Sequence, residues 1–351
     1  MKTPLLPVAG LSAALLLSAC GAAESGDDAR PSVVASFYPV QVVAERVGGD
    51  LIDLTVLTEP GGEPHDLELS PRQVADVQDV DVVLYQSDFQ AAVDEAIEQA
   101  DRDAGTVVDF AEGVELRPAE DDGHDHGAED EHSEEEGHDH TDEEESHEGH
   151  DHADEDESHE GHDHADEESD EHSGHDHGGL DPHLWLDPAN LVPAAEATAE
   201  ALAAADPDHA EDYRANAATL IEELEALEDE IDEGLASCEV DVVVTSHAAF
   251  GYLTGPHGLE QVSIAGINPG TEPSASRLAE IADLVESEGI TTVFTETLVS
   301  PAVARTIADE AGVETATLDP LEGLSEDTQD EDYFSIMRAN LDALQKANSC
   351  S

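Results

Sequence analysis

Outside one histidine-dense segment the chain carries only five histidines: His65, His183, His209, His247 and His257. Three of them stand in short polar motifs, Gly62-Glu63-Pro64-His65-Asp66, Asp181-Pro182-His183-Leu184-Trp185 and Ser246-His247-Ala248. A fourth motif, Asp319-Pro320-Leu321, places a carboxylate beside a proline. Neutral imidazoles and carboxylates are zinc donors, and three nitrogens with one oxygen complete a four-coordinate set. Prolines next to His65, His183 and Asp319 restrict the local backbone and lower the cost of holding ligands in place. We therefore expect His65, His183, His247 and Asp319 to share one divalent cation. Glu63 and Glu296 are second choices, as ligands or as hydrogen-bond partners of ligands. His209 and His257 read as surface residues.

The other fourteen histidines lie between positions 120 and 177, set among Asp and Glu with no Lys or Arg. They are His124, His126, His132, His138, His140, His147, His150, His152, His159, His162, His164, His172, His175 and His177. The ten residues 146–155 recur as 158–167, twelve positions later. No apolar residue larger than alanine occurs there. Such a segment buries too little to offset its ordering entropy, and it is expected to stay disordered. Imidazole suits zinc, copper and nickel, so the segment reads as an auxiliary metal-attracting insert. Solubility alone would need only the acids.

Donors this far apart in sequence meet only if a fold gathers their loops. Short apolar runs at 33–38, 51–57, 82–85 and 106–110 alternate with helix-like stretches opening at Pro39, at Ser70-Pro71 and at 91–100. The second half repeats the theme, with strands expected at 241–245, 261–265, 290–294 and 313–318 and helices at 274–288, 301–311 and 333–347. Strand–helix alternation predicts an α/β fold with parallel sheets, whose ligands bind beyond the carboxyl ends of the strands. Between the halves, Tyr213, Ala217, Leu220, Leu224, Leu227 and Ile231 recur at spacings of four and three, one apolar stripe of a long helix. The expected organisation is two lobes, each a parallel β-sheet flanked by helices, joined by one long rigid backbone helix. The first lobe takes 33–205, including the insert at 120–178, the linking helix 206–236, and the second lobe 237–351. A dimerising coiled coil would need a longer repeat with balanced charge, so a monomer is expected.

The first residues bear on the compartment. Lys2 precedes a short, mostly apolar run that ends in Leu17-Ser18-Ala19-Cys20. The run is too short to span a membrane permanently and is similar to a bacterial lipoprotein signal peptide over 1–19, with Cys20 as the lipidated residue and 20–32 as a tether. An extracytoplasmic, membrane-anchored protein follows as the expectation. Cys238 and Cys350 would then sit in an oxidising compartment, where two cysteines are more often paired than free. The composition has 87 acids against 11 bases, a formal charge of −76, which makes nucleic acid and anionic membrane surfaces poor partners. An exported chain this acidic and lysine-poor also suits salty or alkaline surroundings, where self-repulsion is screened.

The motifs at 62–66, 181–188, 246–253, 268–273, 293–296 and 319–321 resemble, in order, those of the metal-specific solute-binding proteins of ABC transporters, most closely the zinc-uptake branch. That resemblance implies two α/β lobes joined by one helix, with a metal clamped between them by His65, His183 and His247. It places Asp319 at the fourth position and leaves water or Glu63 as alternatives there. It implies a zinc receptor that serves a membrane permease and a cytosolic ATPase. A manganese, iron or nickel receptor of the same family, or a surface adhesin, are the alternatives. An enzyme is not expected: the HExxH helix motif is absent, His147-Glu148-Gly149-His150 being one residue short of it, and no phosphate loop or nucleophile triad stands out.

Overall fold

In the computed structural model the described residues are 30–119 and 179–351; Cys20, the apolar run before it and the fourteen insert histidines lie outside them. Strands β1 (Ser32–Ala35), β2 (Asp53–Val56), β3 (Val82–Tyr85) and β4 (Val107–Asp109) form a sheet in the order β2-β1-β3-β4. Strands β5 (Val242–Thr245), β6 (Glu260–Ser263), β7 (Thr292–Thr295) and β8 (Glu314–Thr317) form a second in the order β6-β5-β7-β8. Every pairing in both sheets is parallel. The two halves thus share one winding.

Each sheet is covered on both faces, which is why its inner strands read as unbroken apolar runs. Successive strand residues point to opposite faces. Val33 and Ala35 of β1 therefore enter the main core, whereas Val34 joins an outer cluster with Val77, Val93 and Ala96. Those partners belong to α2 (Pro71–Asp79) and α3 (Ala91–Ala100). In the second lobe Val243 faces the main core, and Val242 and Val244 meet Ile281, Val285 and Ile307. These come from α7 (Ala275–Ser287) and α8 (Ala302–Ala311), which follow the one-turn α6 (Gly251–Thr254). Ser70 caps α2 by accepting from the Gln73 amide, with Pro71 in the first turn, as the Ser-Pro pair predicts.

The main core runs through both lobes, and a single helix holds it together. Helix α5 (Ala210–Gly234) buries Tyr213, Ala217, Leu220, Leu224, Leu227 and Ile231, the stripe read from the spacing. It packs against α1 (Tyr38–Gly48) and α4 (Leu191–Ala205) on one side of the molecule and α9 (Tyr333–Asn348) on the other. At 25 residues it is about 37 Å long, and the residues before it, Pro207–His209, form a 3-10 turn rather than α-helix. None of the expected elements covers α4. Its run of alanines favours helix but gives little periodic contrast, although eight of its residues are buried.

Strand β1 stops at Ala35, three residues short of the expected run, because Tyr38 already begins α1. Cys238 and Cys350 are joined by a disulfide that ties the chain end to the residues leading into β5. Backbone bonds from Glu239 and Val240 to the Asn348 carbonyl reinforce that junction. No helix of the described residues is long and apolar enough to cross a membrane.

Candidate metal centre

Four loops, three of them at the carboxyl ends of strands, meet between the lobes. His65 follows β2, His247 follows β5 and Glu322 follows β8, while His183 opens the 3-10 turn Leu184–Leu186 that re-enters the first lobe. His65 is 3% exposed, His183 and His247 0%, and Glu322 1%, so the group is closed to solvent. Glu322 Oε1 lies 3.1 Å from His65 Nε2, 3.2 Å from His183 Nε2 and 3.2 Å from His247 Nε2. His183 Nε2 lies 3.3 Å from His65 Nε2 and 3.4 Å from His247 Nε2. These five of the six donor–donor separations are 3.1–3.4 Å, and a regular tetrahedron with edges of that length has its centre about 1.9–2.1 Å from each corner, which is the zinc–nitrogen and zinc–oxygen bond length. Calcium needs longer bonds and more oxygens, and magnesium an octahedron, so neither fits this donor set.

Carboxylates orient two of the rings. Asp181 Oδ1 accepts from His183 Nδ1 at 2.7 Å, and Glu296 Oε2 accepts from His247 Nδ1 at 2.6 Å. A proton held on Nδ1 leaves the Nε2 lone pair facing the centre. Burial alone would lower the His183 pKa, yet its hydrogen bonds to Asp181 and Glu322 raise it above the usual value. Burial likewise opposes a charged His247, but the Glu296 and Glu322 carboxylates hold its pKa well above the ordinary one. For Glu322 burial pushes upward and the adjacent His247 and His65 prevail, keeping its carboxyl well below the usual range. An apolar wall surrounds the polar centre. The Phe89 ring centroid is 4.8 Å from that of His65, and the Trp185 centroid is 5.3 Å from that of His183.

The structure brings His65, His183 and His247 together but puts Glu322, not Asp319, at the fourth corner. Both Asp319 oxygens are engaged elsewhere: Oδ1 accepts from the Leu321 amide at 2.8 Å and Oδ2 from the Thr297 hydroxyl at 3.1 Å. Those bonds build a turn in which Leu321 takes a left-handed φ of 58°, and that turn aims Glu322 at the imidazoles. Burial, the largest influence, raises the Asp319 pKa to about 6. Glu63 is also outside the four. Its Oε1 accepts from the His65 amide at 3.0 Å, and burial raises its pKa. Glu296 takes the hydrogen-bonding one of its two expected roles, since its Oε1 also accepts from the His247 amide at 2.9 Å.

Sequence reasoning missed Glu322 and the part played by Asp181. The signal for Glu322 was a second acid three residues past Asp319; for Asp181 it was the repeat of acid-Pro-His at 63–65 and 181–183. Of the remaining histidines, His209 is exposed and paired with Asp206. His257 departs from its surface assignment: its side chain is 7% exposed, with Nδ1 3.7 Å from Asp232.

Known proteins are similar to this chain over most of its length. A family model described as the periplasmic zinc-uptake complex component A, ZnuA, matches residues 33–347. The chain is 35% identical to the zinc-binding lipoprotein AdcA of Streptococcus pneumoniae over 352 residues, 99% of this chain. It spans only about 61% of that protein's length. It is 32% identical to the high-affinity zinc uptake system protein ZnuA of Bacillus subtilis, covering 94% of this chain and 93% of that one. The fold is similar to the Zn(II)-bound ZnuA-like domain of Streptococcus pneumoniae AdcA, with a TM-score of 0.67, 30% identity, and 91% of this chain and 99% of that chain covered. Because the matched stretch runs from the first strand into the last helix, the chain belongs to the ZnuA family of zinc-uptake components.

Proposed function

We propose that this protein is an extracytoplasmic receptor that captures Zn²⁺ with His65, His183, His247 and Glu322 and delivers it to a membrane permease driven by a cytosolic ATPase. The observation that carries this reading is the closed set of four buried donors, five of whose six separations are 3.1–3.4 Å. A hydrolytic zinc site keeps one position open for water. Here protein side chains account for all four corners, which favours holding an ion over activating a water. Three imidazoles and a single carboxylate favour zinc over manganese, whose preference is for oxygen. Family membership and relatives named as zinc-binding or zinc-uptake proteins support the same cargo.

Cys20 would carry the lipid that anchors the chain to the outer face of the cytoplasmic membrane. The fourteen insert histidines would gather zinc beside the lobes, at an effective concentration on the order of millimolar for a short linker. Because every ligand is at most 3% exposed, capture and release require the lobes or their loops to part.

The test uses the chain's single tryptophan. Trp185 sits against His183 and the insert has no tryptophan, so its fluorescence follows the buried site while ions bound by the insert stay silent. Titration of the full chain with zinc, at free concentrations set by a competing chelator, should give one tight transition that His247→Ala abolishes. A transition that survives in both His65→Ala and His247→Ala would refute the assignment.

A further inference from the structure

A histidine ligand is placed by the peptide plane that carries it, and each of the three planes here is pinned at both ends. The amide ends all meet carboxylates: His65 N–H donates to Glu63 Oε1 at 3.0 Å, His183 N–H to Asp181 Oδ1 at 2.9 Å, and His247 N–H to Glu296 Oε1 at 2.9 Å. The carbonyl ends differ between the lobes. The plane before His247 offers the Ser246 carbonyl, and the Ala265 backbone amide just past β6 donates to it at 2.8 Å. In the first lobe two glutamine side chains take that part. Gln90 Nε2 donates to the Pro64 carbonyl at 3.2 Å, and Gln86 Nε2 donates to the Pro182 carbonyl at 2.5 Å.

Both glutamines come from the five-residue connection between β3 and α3, so one loop grips the planes of two ligands 118 positions apart. Local bonds from the Leu67 amide at 3.3 Å and the Leu184 amide at 2.8 Å reach the same carbonyls but lie within each ligand's own loop, so they cannot set one histidine relative to the other. Gln86 is 3% exposed and Gln90 1%, and the Oε1 atom of each finds no hydrogen-bond partner among the described residues. Methionine would fill the same space without leaving a buried acceptor unpaired, so packing alone does not account for an amide here.

We infer that Gln86 and Gln90 are positioning residues for the metal, which lock the peptide planes of His183 and His65 so that both Nε2 atoms reach one centre. This rests on the reading of those histidines as zinc ligands. Partners one step behind the ligands set ligand orientation, and losing one costs 10- to 100-fold in metal affinity.

The experiment is zinc titration of the full chain by Trp185 fluorescence under chelator competition, for wild type, Gln86→Met, Gln90→Met and the double variant. Ser36→Ala is the control, because Ser36 is equally buried with its hydroxyl unpartnered. Each glutamine variant is expected to bind zinc about 10- to 100-fold more weakly, with the control unchanged. Co²⁺ then reads the geometry directly: the strong visible absorption of a tetrahedral ion should fall in the glutamine variants. A merely structural role would lower the metal-free melting temperature and leave both readouts alone. Should a methionine variant not fold, the asparagine one, polar but a methylene too short to reach the carbonyl, carries the test. Zinc affinity within twofold of wild type together with an unchanged Co²⁺ spectrum overturns the inference. If wild type itself shows no tight transition, the zinc-site reading fails instead.

Discussion

Replacing Glu322 by glutamine should nearly destroy the site, whereas replacing Asp319 by asparagine should not. Glu322 Oε1 sits 3.1–3.2 Å from three imidazole nitrogens in a closed, aromatic-walled pocket. Against a cation at such a distance or closer, and at an effective dielectric of about 20, one unit charge contributes at least about 5 kcal/mol. Glutamine keeps the shape and a carbonyl dipole but removes the only anionic donor. Part of the loss is offset because a buried carboxylate no longer has to be desolvated. The net cost is about 3–5 kcal/mol, roughly a 100- to 4,000-fold rise in Kd. Asp319, by contrast, holds a turn. Asparagine can still accept from the Leu321 amide, and the Thr297 hydroxyl can rotate to meet its NH₂, so about 1 kcal/mol or less is lost, a factor of about five. Competitive zinc titration followed by Trp185 fluorescence compares the two variants directly. A larger defect in Asp319→Asn than in Glu322→Gln would refute the geometry argued here.

Three further outcomes are expected. In metal-free protein the raised pKa values of His183 and His247 add stability below about pH 6.5 that is lost as pH rises through them. Glu322, with a depressed pKa, adds stability that is lost only as pH falls well below about 4.5. Zinc must displace the imidazole protons, so its increment in melting temperature at fixed free zinc should grow from about pH 5.5 to about pH 8.5; a flat profile would contradict this. Burial and the neighbouring Asp88 raise the Asp94 pKa to about 7, so the folded state binds that proton more tightly and stability falls as pH climbs from about 4 to about 7. Asp94→Asn should therefore raise the melting temperature by about 2–4 °C at pH 8, about 1 kcal/mol after discounting for solvent at this half-buried site, and by little at pH 5; equal gains at both would count against it. Cys238 and Cys350 close a loop of 112 residues. Cys350→Ser should cost about 3 kcal/mol, or about 6–12 °C in melting temperature, while zinc affinity stays within a few-fold; loss of zinc binding in a folded variant would show that the staple reaches the site.

The linking helix was legible because burial on one side of a helix imposes a 3.6-residue period, and six residues from Tyr213 to Ile231 display it. Helix α4 was not, since alanines at the same period create almost no contrast with their neighbours. The loops carrying His65 and His247 stood out because rare histidines fall just past strand-like runs, and the one carrying His183 because an acid-Pro-His triplet closes the histidine-rich segment. Their convergence was an expectation from the rule that parallel sheets bind ligands at strand ends.

Which carboxylate faces the metal was a different kind of question. Asp319 and Glu322 are three residues apart in one loop, and either side chain is long enough to serve. Only the assembled turn discriminates: Asp319 spends its oxygens on Leu321 and Thr297, and the left-handed backbone at Leu321 swings Glu322 inward. The double pinning by Gln86 and Gln90 was equally hidden, because it joins β3–α3 residues to prolines 26 and 96 positions away. Residue chemistry and periodicity, which are local, determined the donor types, the parallel lobes and the spine. Contacts between distant loops, which depend on how the lobes pack, decided the fourth ligand and the groups that hold the others still.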